Sequence, residues 1–489
     1  MVKRFDRKTV GLSASYFLTL IFVIPLLVSF PAGARDITDE KITRAIETRL
    51  KNDDGVSTHL IDVKTEDGIV VLTGISDSIL AKDRVAEIAE TIRGVRSVVN
   101  KVEVRTAKRP ASEIRNDIKR KLKNNPATNA SKIQVEVNDS TVTITGEVPS
   151  GADKRLAELM AKTVRGVSGV YNRISVVRVE TRSDEAIKKD IEQRYVWDVW
   201  LNEENIDVAV KDGRVLLSGT VGSPMIKQRA LDKAWIIGVD EVVPEKLKVD
   251  PAVLDMRVGK KRREVSDEAI KSAIRQAFQY DPRTRNADPE VFVQDGVVRL
   301  DGYVERLRIR KTLEDIARNT VGVISVRNDV QIEPGMIESP DPMVDRDHRL
   351  GEKVRAVLRS DPYIPQDQIE VEVNQGGVGL KGIVDSRFIK ERATDLISEL
   401  TGTLIIRNDL RVRNDWKEKE DWKIREDVTD QLMWSPFVSG EEITVLVEDG
   451  VVTLKGEVKD LQERRIATKN AMDGGARKVR NLLEVTQPQ

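Results

Sequence analysis

Apolar residues recur along this chain with two periods that alternate. Ile42, Ile46 and Leu50 fall four apart with charges between them, and Ile114, Ile118 and Leu122 repeat the stripe. That spacing predicts amphipathic helices. Thr38, Ser112, Ser183 and Ser266 stand at the expected N-caps, with acids such as Asp184-Glu185 and Asp267-Glu268 in the first turn, where they suit the helix dipole. The period then drops to two, as in Ile133, Val135, Val137, in Ile206, Val208, Val210, in Ile369, Val371, Val373 and in Ile443, Val445, Val447. Alternating β-branched residues predict half-buried strands. Asp67-Gly68, Asp212-Gly213, Asp295-Gly296 and Asp449-Gly450 follow, and Asp-Gly between strands signals a hairpin. Asp139-Ser140 and Gln375-Gly376 are less ideal versions. A Val-rich return strand comes next, then a second helix such as Ala81 to Arg93, then a last strand such as Val98 to Val104.

The order helix, strand, strand, helix, strand occurs six times. A glycine marks the end expected for each return strand, at Gly74, Gly146, Gly219, Gly302, Gly382 and Gly456, with gaps of 72, 73, 83, 80 and 74 residues. A second glycine follows at Gly94, Gly166, Gly238, Gly322, Gly402 and Gly475, where it would end the second helix. Six residues later stands Asn100, Asn172, Asn328, Asn408 or Asn481, with Pro244 in the third copy. This register predicts duplicated domains of about 70 residues, longer than solenoid repeats. The expected modules are 38–106, 111–180, 183–250, 266–334, 345–413 and 420–487. The fold class is α+β, a tandem array of six small αββαβ sandwiches. Each has a three-stranded mixed sheet with two helices on one face. Pro251 to Val265 and Pro334 to Asp345 look like extended connectors.

Residues 1–34 differ. Lys3, Arg4, Arg7 and Lys8 precede an apolar run and the small-residue stretch Ala32-Gly33-Ala34. This is the form of a secretory signal peptide, or of a membrane anchor if it is not cut. Either reading places the repeats outside the cytoplasm. The chain has no cysteine, which excludes disulfides and thiolate metal sites, and only His59 and His348 supply imidazole. Overall charge is balanced, with 81 basic and 81 acidic residues. Ala107 to Thr181, however, holds 14 basic against 8 acidic groups.

The stretch Ile61-Asp-Val-Lys-Thr-Glu-Asp-Gly-Ile-Val-Val-Leu-Thr-Gly74, with Arg93-Gly-Val-Arg-Ser-Val-Val-Asn100, resembles the BON domain of bacterial envelope proteins. It recurs in all six copies, with local departures at Pro244, Gly402-Thr403 and Gly475-Ala476. The resemblance implies periplasmic binding modules, typically for phospholipid head groups, linked to envelope integrity and osmotic stress. It brings no catalytic residues.

Two residue groups are candidates for lipid contact. Arg115, Lys119 and Lys123 form a basic stripe at i, i+4, i+8, flanked by Arg120 and Lys121. Stacked like charges repel. An anionic surface would relieve that and attract each one, while a solvated face is the plainer alternative. Trp197 and Trp434 share one slot with Tyr280, 22 residues before the marker glycine, and Trp200, Phe437 and Tyr363 lie close by. These aromatics would sit at a membrane interface or fill space in the small cores. Gly166-Val-Ser-Gly169 spells the G-x-x-G of an RNA-binding loop, but its flanks follow the repeat, so no nucleic acid is expected. Asp53-Asp54 shows no catalytic pattern. No catalytic residue, metal or cofactor is expected. The reading is a non-enzymatic envelope protein that binds anionic phospholipid, located in the periplasm. The alternative is a periplasmic protein-interaction scaffold or holdase that pairs with envelope proteins through sheet edges.

Overall fold

The computed structural model describes residues 37–56, 60–125, 132–177, 182–256, 265–333, 343–365, 368–413, 419–459 and 461–486. The leader, His59, the basic run Lys260 to Arg263 and most of the second connector lie outside the described residues.

Each repeat folds as helix, hairpin, helix, strand. In module 1, helix Asp39–Lys51 leads to strands Ile61–Glu66 and Ile69–Ser76, helix Ile79–Glu90 and strand Ser97–Asn100. The hairpin strands are antiparallel and the last strand lies parallel to the middle one, giving a three-stranded mixed sheet. The same order holds in the other modules. Among the described residues, six hydrophobic clusters form, one centred on each module. In module 2 the stripe Ile114, Ile118 and Leu122 is buried against Val135, Val142, Ile144 and Ala157. Burying each such aliphatic side chain stabilises by about 1.5–3 kcal/mol.

In modules 1 and 3 to 6 the hairpin turns carry positive φ at both central residues, 51° at Asp67 and 71° at Gly68, which matches the twist of the flanking strands. An unforeseen clamp holds them. The carboxylate of Asp39 accepts hydrogen bonds from the amides of Asp67 (2.7 Å) and Gly68 (2.9 Å). Asp184, Asp267, Asp347 and Asp421 do the same in modules 3 to 6. Each acid stands 28 residues before its turn. In module 2 that position is Ala111, and there the turn is the departing Asp139-Ser140.

The structure corrects two expectations. The marker glycines do not end the return strands. Strand Ile69–Ser76 runs through Gly74, and Thr141–Val148, Arg214–Val221, Gly377–Val384 and Val451–Val458 run through theirs. What ends there is the antiparallel pairing, because the first hairpin strand begins at Ile61, opposite Gly74. Gly74 adopts φ +117°, and a Cβ on it would lie 1.9 Å from the Leu60 carbonyl oxygen, so the slot demands glycine twice over. Only at Gly302 does the described strand break, into Val297–Asp301 and Tyr303–Val304. Second, Ser112 lies inside its helix, which starts at Ala111 after Pro110 with no side-chain cap. Proline's fixed φ suits a helix start without one. The local departure expected at Pro244 takes the form of a register shift between Val243 and Lys246, because proline has no amide to donate. In the other modules the asparagine staples strand to helix. Asn100 donates to the Lys82 carbonyl (2.8 Å) and accepts from Val102 (3.2 Å).

Thr38–Gln489 forms one compact unit, and its modules are not strung out. They pair 1 with 6, 2 with 5 and 3 with 4 through one recurring bond. The amide of Arg93 donates to the Trp434 carbonyl (2.9 Å), Arg165 to Ser360 (2.7 Å) and Val321 to Trp197 (3.0 Å). Modules 1, 2 and 3 also meet through their second helices. Lys162 pairs with Asp83 (3.4 Å), Arg155 pairs with Asp232, and helices Ile79–Glu90 and Pro224–Ala234 pack together. Modules 4, 5 and 6 meet likewise through Lys311–Asp395 (3.0 Å), Arg465–Asp315 (3.7 Å) and Arg387 donating to the Arg477 carbonyl (3.4 Å). Diagonal contacts join the two layers of three. Arg84 lies over Phe388 (4.5 Å), Arg285 pairs with Asp153 (2.9 Å), and Trp200 meets Phe437 edge-on.

Candidate functional site

Helix Ala111–Asn124 presents the basic stripe. Its buried face, Ile114, Ile118 and Leu122, fixes which residues face outward. Lys119 and Lys123 are exposed and make no ion pair with another described residue, and Arg115 is half-buried. Arg120 is also exposed but is engaged by Asp117 at 3.1 Å, and Asp117 binds Arg109 at 2.9 Å. Lys121 points elsewhere, donating to the hydroxyl (2.7 Å) and carbonyl (3.2 Å) of Thr163. Burial lowers its pKa to about 8, against the pull of Asp361. The stripe is therefore three side chains wide, with one of its two flanking cations neutralised and the other turned inward.

The aromatics sit between modules. Trp434 of module 6 packs on the core of module 1, Trp197 of module 3 on the core of module 4, and Tyr280 of module 4 on the core of module 3. Trp200 and Phe437 face one another across modules 3 and 6 at 5.3 Å and 82°. All four residues considered for membrane insertion are half-buried in these contacts. The slot differs among repeats because each copy faces a different neighbour, with Ser360 filling it in module 5. The G-x-x-G stretch forms the helix-to-strand turn shared by all copies, with Gly166 at φ +91°. His348 is exposed on its helix.

Sequence reading missed a set of partly buried ion pairs. Arg84 binds Asp53 through both oxygens at 2.6 Å. Arg229 binds Asp198 at 2.7 Å twice, and Arg392 binds Asp361 at 2.8 and 3.0 Å. Each arginine lies 31 residues after its aspartate, and only modules 1, 3 and 5 carry the pair. Asp198 is fully buried, which by itself would raise its pKa, but Arg229 and Lys233 hold it well below the usual carboxylate range. The spacing was visible in the chain, but nothing marked it among so many charges. Glu90 shows the opposite shift, as burial and then Glu87 push its carboxyl up to about 7.

Among the described residues no group of three or more His, Cys, Asp or Glu could hold a metal ion. No helix among them is long and apolar enough to cross a membrane.

The chain is similar to several known proteins. A stretch of 141 residues is 31% identical to osmotically-inducible protein Y of Escherichia coli (strain K12), covering 27% of this chain and 70% of that protein. Two solved chains of CdsD, a structural protein of the type III secretion system of Chlamydia trachomatis, are each 15% identical with a TM-score of 0.12. They cover 41% and 44% of this chain and 88% and 100% of their own. The BON domain family model matches residues 38–106, 110–178, 183–251, 266–334, 346–414 and 420–487. With six matched copies of the helix–hairpin–helix–strand unit spanning most of its length, the chain belongs to the BON domain family.

Proposed function

We propose that this is a non-enzymatic protein of the bacterial envelope, located in the periplasm, that binds anionic phospholipid surfaces and supports tolerance of osmotic stress. The likeness to an osmotically inducible protein supports the setting. The observation that carries the binding chemistry is the outward pair Lys119 and Lys123, with Arg115 beside them, on a helix face free of ion pairs to other described residues. Basic groups near an anionic membrane contribute about 1 kcal/mol each. Contact is thus electrostatic and concentrated on module 2. Trp197, Trp200, Trp434 and Phe437 would reach lipid only after the modules separate, and their role in the closed arrangement is to join modules.

Vesicle flotation tests this reading. The chain should float with phosphatidylglycerol vesicles and not with phosphatidylcholine ones, and added salt should weaken binding. Replacing both lysines, Lys119→Glu and Lys123→Glu, should weaken it by at least roughly thirtyfold. Equal flotation on both lipids, or no effect of the substitutions, would remove the electrostatic mechanism.

A second reading rests on Tyr171 and Ile405, which are 62% and 66% exposed on third strands at sheet edges. Such edges could pair with strands of envelope proteins, the mode of a scaffold or holdase. Lipid-free capture of envelope proteins, lost on Ile405→Lys, would favour it.

A further inference from the structure

Where modules 2, 4 and 5 meet, the structure leaves a cavity of about 260 Å³. Five basic side chains line it, Lys121, Arg283, Arg306, Arg308 and Arg392, against two acids, Asp395 and Glu399. Three of the five are matched by carboxylates. Arg283 binds Asp281 at 2.6 Å, Arg392 binds Asp361, and Arg308 binds Asp395 at 3.4 Å. The other two contact only neutral oxygens. Lys121 meets Thr163, and Arg306 donates to the Thr401 hydroxyl at 2.9 Å. The remaining wall is apolar, chiefly Leu159, Met160, Ile309, Leu396 and Leu400. Neither makes a direct ion pair, although Glu399 in the wall attracts both from a distance, and partly desolvated cations matched only through space are stabilised by a bound anion. Burial lowers the pKa of both Lys121 and Arg306 despite that attraction, so each ammonium or guanidinium is held at a desolvation cost.

We propose that this cavity binds a small organic anion with one carboxylate-sized head, seated between Lys121 and Arg306, and a short aliphatic body against the leucine and isoleucine wall. The volume limits the ligand. A cavity of about 150 Å³ holds benzene, so this one takes roughly ten non-hydrogen atoms, the size of octanoate. This site is distinct from the outward stripe of module 2 and exists only when three modules are assembled.

Isothermal titration calorimetry of the full chain with octanoate tests it. Octanoate should bind at one site per chain. Octanol, which lacks the charge, and acetate, which lacks the body, should each bind at least tenfold more weakly. The double variant Lys121→Gln with Arg306→Gln should lose at least tenfold in affinity. Leu159→Trp provides a second variant should the first fold poorly. Leu159 is 52% exposed, so enlarging it obstructs the cavity without disturbing a module core, and binding should disappear. Equal affinity for octanoate and octanol would overturn the proposal, as would parental binding by either variant. Competition by phosphatidylglycerol vesicles would also overturn it, since a bilayer lipid exceeds the cavity. The Lys119→Glu, Lys123→Glu chain should bind octanoate as the parent does, which keeps this site separable from membrane contact.

Discussion

Gly74 and Gly302 occupy the same slot with different surroundings. Both adopt φ +117°, but a Cβ at Gly74 would meet a carbonyl oxygen at 1.9 Å, whereas at Gly302 nothing comes closer than 3.6 Å. Gly302→Ala should therefore cost only the left-handed penalty, about 1–2 kcal/mol. Gly74→Ala should cost distinctly more in urea denaturation, and equal losses would contradict the close approach. Asp198 sets a second test. Its pKa lies below the unfolded value, so its stabilisation is present above about pH 4 and is lost as pH falls further. At pH 7, Asp198→Asn leaves the half-buried Arg229 and Lys233 without their counter-charge and should cost up to about 3 kcal/mol, the lower end for a buried pair. Urea midpoints at pH 3 should bring variant and parent closer together, and a gap that stays constant with pH would refute the pairing. The glycines were legible because six copies aligned them. Asp53, Asp198 and Asp361 were not, because an ion pair 31 residues apart has no local signature in a chain one-third charged.

Helices and hairpins were readable from the two hydrophobic periods, since one face of each element is buried and the other is not. The turn clamp was only half readable. Acids in the first helical turn suggested dipole compensation, but their main partners are the two hairpin amides. Asp184→Ala should leave both amides of Asp212-Gly213 without their acceptor and destabilise the protein by about 1–3 kcal/mol. Module 2, which has Ala111 in that position, should be indifferent to Ala111→Ser. A loss at position 111 as large as that at Asp184 would contradict the clamp. Strand ends were misplaced at the marker glycines because glycine usually weakens or ends a strand. Here it instead lets the middle strand run on beyond its antiparallel partner and pair with the last strand alone, as Ile75 does with Glu103.

At the scale of the whole molecule the sequence was least informative. Each module's core is written in its own residues, whereas pairing 1 with 6 and 2 with 5 joins segments hundreds of residues apart. The aromatic slot held the clue. Trp197, Tyr280 and Trp434 vary between copies because each packs into a different partner. The membrane account and the cavity both depend on this closed arrangement, which covers the aromatics and leaves the basic stripe outside. Small-angle scattering of Thr38–Gln489 tests it most directly. Six modules packed in two layers of three should give a radius of gyration near that of a single globule of this length, about 23 Å. A value approaching roughly 50 Å, as for six modules in a line, would show that they do not close on one another.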